Sequence, residues 1–98
     1  IQQAYWVGRS ATYELGECLQ QQQKYANALQ FYARAVELTA KGDVNLRKMA
    51  LYRAGVLATG LKQFAVAEKY LQTLSKVDAR YKDVLCRLDK VKKLRHKG

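Results

Sequence analysis

Cys18, Cys86 and His96 are the side chains in this sequence best suited to nucleophilic or metal chemistry, and their spacing supports neither. The two thiols lie far apart, and there is no second imidazole to complete a metal set. Cys18 and Cys86 read as free thiols in a reducing cytosol. His96 falls in a charged tail, where it contacts water. The carboxylates Glu14, Glu17, Glu37 and Glu68 are scattered among helix positions, and no glycine-rich loop is present to cradle phosphate. The chain is read as non-enzymatic, with no cofactor and no metal.

Charge offers a different chemistry. The sequence carries 18 Lys and Arg against 8 Asp and Glu, a formal +10 in 98 residues. From Lys76 onward, nine basic residues (Lys76, Arg80, Lys82, Arg87, Lys90, Lys92, Lys93, Arg95, Lys97) are opposed only by Asp78, Asp83 and Asp89. Such an end attracts anions and acidic partners. Lys90, Lys92, Lys93, Arg95 and Lys97 form the candidate patch for nucleic acid or another anionic surface. Only Tyr81 is interleaved with that cluster, whereas base stacking needs aromatic platforms. Nucleic acid is therefore the alternative, not the first reading.

These groups must be held by helices. Apolar residues recur at helical spacing, and no stretch alternates as a strand does. Proline is absent and glycine is limited to 6 positions, so turns are few. The pattern predicts helices over about 3–22, 25–40, 43–59, 63–76 and 80–97. Gly42 is placed to end the second helix in a left-handed cap, Asp43 to N-cap the third, and Gly60 to break it. Short links force neighbouring helices antiparallel. No run of 18 apolar residues marks a transmembrane helix. The start, IQQAYWVGRS, lacks signal-peptide features and an initiator Met. The chain is read as one domain over residues 1–98, a piece of a larger cytoplasmic protein.

The two hairpins repeat each other. YELGECLQQQQKYANALQFYARAVEL aligns without a gap on YRAGVLATGLKQFAVAEKYLQTLSKV at a shift of 39 residues. Tyr13 falls on Tyr52, Gly16 on Gly55, Tyr25 on Phe64, Ala26 on Ala65, Ala28 on Ala67 and Leu38 on Val77. An internal repeat of this length points to stacked helical hairpins.

Leu15-Gly16 followed by Tyr25, Ala28, Tyr32 and Ala35 resembles the tetratricopeptide repeat family. The second copy keeps Gly55, Phe64 and Ala67, but has Leu71 and Leu74 where an aromatic residue and Ala are usual. Thr12 and Leu51 replace the usual first aromatic, and Ala40 and Ala79 the closing proline. The family period is about 34 residues, so the extra residues are assigned to AKGDVN, where they lengthen the third helix and its loop. The resemblance implies an all-α solenoid with a right-handed superhelix. Repeat one spans about 9–42, repeat two about 43–79, and a capping helix about 80–97. Gly16 should then face Ala28 and Gly55 face Ala67. Tyr25, Tyr32 and Leu38 fill the space around the small residues, and Cys18 fills core. Tyr81, Val84, Leu85, Leu88, Val91 and Leu94 form the stripe by which the last helix covers the open end.

The resemblance also implies a function. In this family the first helix of each hairpin lines a concave groove that binds peptides. Carried over, the groove candidates are Ser10, Tyr13, Glu17, Gln20 and Gln21, then Met49, Tyr52, Arg53, Val56 and Thr59, then Asp83, Cys86, Arg87 and Lys90. Glu17 would repel a terminal carboxylate, whereas Arg53 and Arg87 leave an acidic side chain as ligand. The first reading is a protein-interaction module that binds a peptide or partner segment as a scaffold or adaptor. A structural spacer is a further alternative. At the open first end, Ile1, Tyr5 and Trp6 are expected to meet an adjoining segment or a second copy, giving a weak homodimer.

Overall fold

A computed structural model describes the backbone of residues 2–97 and the side chains of residues 11–96. Among the described residues there are five helices and no strand: α1 (Gln2–Gln21), α2 (Tyr25–Leu38), α3 (Val44–Gly60), α4 (Phe64–Val77) and α5 (Val84–Lys97). Consecutive helices pack on one another, and α3 also reaches α5. The result is an elongated stack of 48 × 29 × 18 Å. Ile1, and the side chains of Tyr5, Trp6, Ser10 and Lys97, lie outside the described residues, so the expected end contact and those parts of the groove and basic patch fall there.

The repeat is visible in the backbone, not only in the alignment. Gln23 and Lys62, 39 residues apart, are both left-handed, with φ of 65° and 64°. The residues that follow, Lys24 and Gln63, have φ and ψ of −92°, 68° and −91°, 70°. In each turn the same amides close the same rings. Lys24 N donates to Leu19 O, and Gln63 N to Ala58 O, both at 2.9 Å.

The core is built from alanines between larger residues. Ala28, Ala35, Ala50, Ala54, Ala58 and Ala67 are fully buried, with Tyr32, Leu51, Leu71, Leu74, Val84 and Val91. Small side chains allow helix backbones to approach closely, and the larger ones fill the remaining volume. The first of the expected pairings is corrected. A Cβ added to Gly16 would lie 2.7 Å from Tyr32 Cε1, and one added to Gly55 would lie 2.7 Å from Leu71 Cδ2. Each glycine therefore makes room for the residue one turn beyond the alanine.

Other expectations shift at the links. Asp43 is the N-cap of α3, its carboxylate accepting from Leu46 N at 3.0 Å. Gly42 is not left-handed. Helix α2 ends earlier, where the buried Thr39 hydroxyl donates to Ala35 O at 2.8 Å. Helix α5 starts at Val84, not near Arg80. Asp78 Oδ1 accepts from Arg80 N, and Lys82 is left-handed, so residues 79–83 form turns instead. Leu85 consequently faces solvent, while Val84, Leu88 and Val91 cover the end of the stack. Cys18 and Tyr25 are exposed and fill no core. Cys18 corresponds to the buried Leu57, but α1 has no helix on the side where α3 meets α2 among the described residues.

Candidate functional site

The first helices α1, α3 and α5 carry the candidate groove residues, and two arginines bridge them. Arg53 of α3 reaches α1, where its Nη2 lies 3.3 Å from Glu17 Oε2 and its Nη1 donates to Gln20 Oε1 at 3.1 Å. The Tyr32 hydroxyl donates to the same Gln20 oxygen at 2.7 Å and accepts from Arg53 Nη1 at 3.4 Å. Tyr13 sits beneath this network, its ring centroid 5.4 Å from that of Tyr32.

The second cluster joins α3 to α5. The Tyr52 hydroxyl donates to Asp83 Oδ1 at 2.6 Å, and Arg87 Nε donates to that hydroxyl at 2.9 Å and to Asp83 at 3.0 Å. Lys82 Nζ lies 5.0 Å from the centroid of the Tyr52 ring and 5.7 Å from that of Tyr81. The left-handed backbone at Lys82 accompanies this placement, and no sequence signal marks it.

Burial raises the pKa of all three tyrosines, Tyr13 to about 12, with Tyr32 and Tyr52 moved in the same direction. Asp83 is held below its ordinary value, first by the hydrogen bond from Tyr52 and then by Arg87. Asp78 is lowered likewise, chiefly by the bond from Lys48 Nζ at 3.1 Å. Each guanidinium thus has a carboxylate partner within the chain. An acidic ligand side chain would have to share Arg53 with Glu17, or Arg87 with Asp83.

The expected groove set divides. Tyr13 is only 4% exposed, so it supports the surface from below. Glu17, Gln20, Tyr52, Arg53 and Arg87 belong to the two clusters, and Met49 is exposed on α3. Thr59 turns its hydroxyl back to Gly55 O. Val56 joins Tyr25, Leu57, Gly60 and Leu61 around a separate depression of about 180 Å³. Gln21, Cys86 and Lys90 are exposed. A larger open depression of about 570 Å³ lies on α2 alone, along Gln30, Phe31, Ala33, Arg34 and Glu37.

Within the basic patch, Lys90 and Lys92 are exposed, Lys93 pairs with Asp89 and Arg95 with Glu68, both at 3.2 Å. No group of three His, Cys, Asp or Glu is placed to hold a metal among the described residues. No described helix is long and apolar enough to cross a membrane.

No curated protein and no solved structure matches the chain. The family model described as tetratricopeptide repeat matches residues 8–80. That match spans both hairpins and their paired turns, and the chain belongs to the tetratricopeptide repeat family.

Proposed function

We propose that this domain is a non-catalytic protein-interaction module that holds a peptide or partner segment along α1, α3 and α5, as a scaffold or adaptor. Tetratricopeptide repeats generally mediate protein–protein interaction. The observation that carries the reading for this chain is the pair of arginine bridges. Arg53 and Arg87 connect three successive first helices, with Met49 and Tyr52 beside them. Tyrosine and methionine give contact area to a ligand at little cost in order, and arginine anchors polar groups. The exposed thiols Cys18 and Cys86 fit a reducing, cytoplasmic setting.

The test is affinity capture from a lysate of the source organism, with a Tyr52→Ala/Met49→Ala variant beside the unaltered domain. Tyr13 is avoided because its loss would damage the core. Proteins held by the domain and lost by the variant support the groove. Proteins held equally by both place binding elsewhere. Recovery of nucleic acid alone, released by salt, would favour the basic helix α5 instead.

A further inference from the structure

We propose that the side of α1 carrying Leu15, Cys18 and Leu19 is a self-association surface, closed by the same side of a second copy around a twofold axis. The repeat itself identifies this side. At a shift of 39 residues, Leu15, Cys18 and Leu19 correspond to Ala54, Leu57 and Ala58 of α3. Ala54 and Ala58 are 0% exposed and Leu57 is 7%. Leu15 is 49% exposed, Cys18 is exposed, and Leu19 is half-buried. The hairpin turns are the same in both copies, so the partner within the hairpin does not account for the difference. What α3 has in addition is α2, packed on its other side. Helix α1 therefore carries an apolar side of the kind that a helix covers elsewhere in the same molecule.

Charge selects the occupant. In residues 1–40, Arg9, Lys24 and Arg34 balance Glu14, Glu17 and Glu37, so the whole excess of +10 lies in residues 41–98. The α1 end can meet its own kind without local like-charge repulsion. The opposite end of the stack is the outer side of α5, where one exposed leucine, Leu85, lies among Lys92, Lys93 and Asp89. That side offers little to an apolar stripe, so head-to-tail stacking is disfavoured and the like-to-like pair remains. Twofold closure is also the commonest way for identical chains to associate.

The experiment is sedimentation of the 98-residue chain across a concentration series, with Leu15→Lys and Leu85→Lys variants. Both leucines are exposed, and circular dichroism checks that each variant keeps its helices. The unaltered chain and the Leu85→Lys variant should approach twice the monomer mass as concentration rises. Leu15→Lys should lose that rise, because it brings two ammonium groups together across the axis. Added salt should strengthen the pairing, since it screens repulsion between the two basic halves. A chain that stays monomeric throughout overturns the proposal. So does association that survives Leu15→Lys, or that is lost with Leu85→Lys.

Discussion

The two hairpins share a backbone and differ in what they build on it. Gly16 opens space for the ring of Tyr32, and Gly55 opens the equivalent space for Leu71. Tyr32 carries a hydroxyl to Gln20 and Arg53, whereas Leu71 carries none. Tyr13 accordingly lies buried against an aromatic ring beneath a polar network. Its counterpart Tyr52 turns to Asp83 and Arg87 and stays half-exposed. Close approach of helices sets the repeated frame. The side chain that enters the opening decides whether the surface above it is closed or left available.

The strongest way to break this comparison is to empty the two openings. Tyr32→Ala should cost about 3–5 kcal/mol and Leu71→Ala about 2–5 kcal/mol, because each removes a fully buried side chain from a core that relaxes only in part. Tyr32→Ala should also expose Tyr13, seen as increased tyrosine accessibility, and Leu71→Ala should not. Urea unfolding followed by circular dichroism measures the stability change.

Filling the openings is the next test. An alanine Cβ at Gly16 or Gly55 meets a side-chain carbon at 2.7 Å, so something must move. Overpacking of this kind costs about 1–3 kcal/mol, offset by about 1 kcal/mol of helix propensity gained over glycine. Gly16→Ala should be the more harmful, since the Tyr32 ring is held by two hydrogen bonds while Leu71 can change rotamer. Equal losses at the two sites would show that the polar network does not stiffen the ring. Removing only the hydroxyl, in Tyr32→Phe, should cost about 0.5–1.5 kcal/mol and loosen Arg53 with little change to the core.

Much of this frame is legible in the residues. The recurrence of Gly16, Ala28 and Ala35 at helical spacing, and the 39-residue self-alignment, give five helices and their pairing because small residues in that order mark close helix crossings. Asp43 is readable as a cap because its side chain acts on its own first turn. The start of α5 is not readable in the same way. Tyr81, Lys82 and Asp83 fit a helix in propensity, but Asp78 bonds the amide of Arg80 and the chain turns there. Contacts over long distances were also hidden. The residues of the Arg53 cluster all stand in the sequence, yet only the hairpin crossing brings Glu17 and Gln20 to Arg53. Cys18 illustrates the reverse error, because a core position is buried only where another helix arrives.

The smallest expected effect separates the two clusters by pH. Burial raises Tyr13 from 10.0 in the unfolded chain to about 12 in the fold. Folding thus favours the protonated phenol, and this contribution is complete below pH 10 and is lost as pH rises through about 12. Tyr32 moves the same way, so the first cluster should weaken in base. Asp83 has the opposite sign. Its folded pKa lies below 3.8, so its contribution is present above that value and disappears as pH falls through the folded value. Tyr52 is also raised and adds an alkaline loss at the second cluster, but the acid loss there belongs to Asp83. Thermal melts across pH should show Tyr13→Phe reducing the alkaline decline and Asp83→Asn reducing the acid decline. Each variant should leave the other limb of the profile in place. A Tyr13→Phe variant whose alkaline decline matched that of the unaltered chain would show that Tyr13 ionises without opposing the fold. The division between a buried first cluster and an open second one would then lose its electrostatic support.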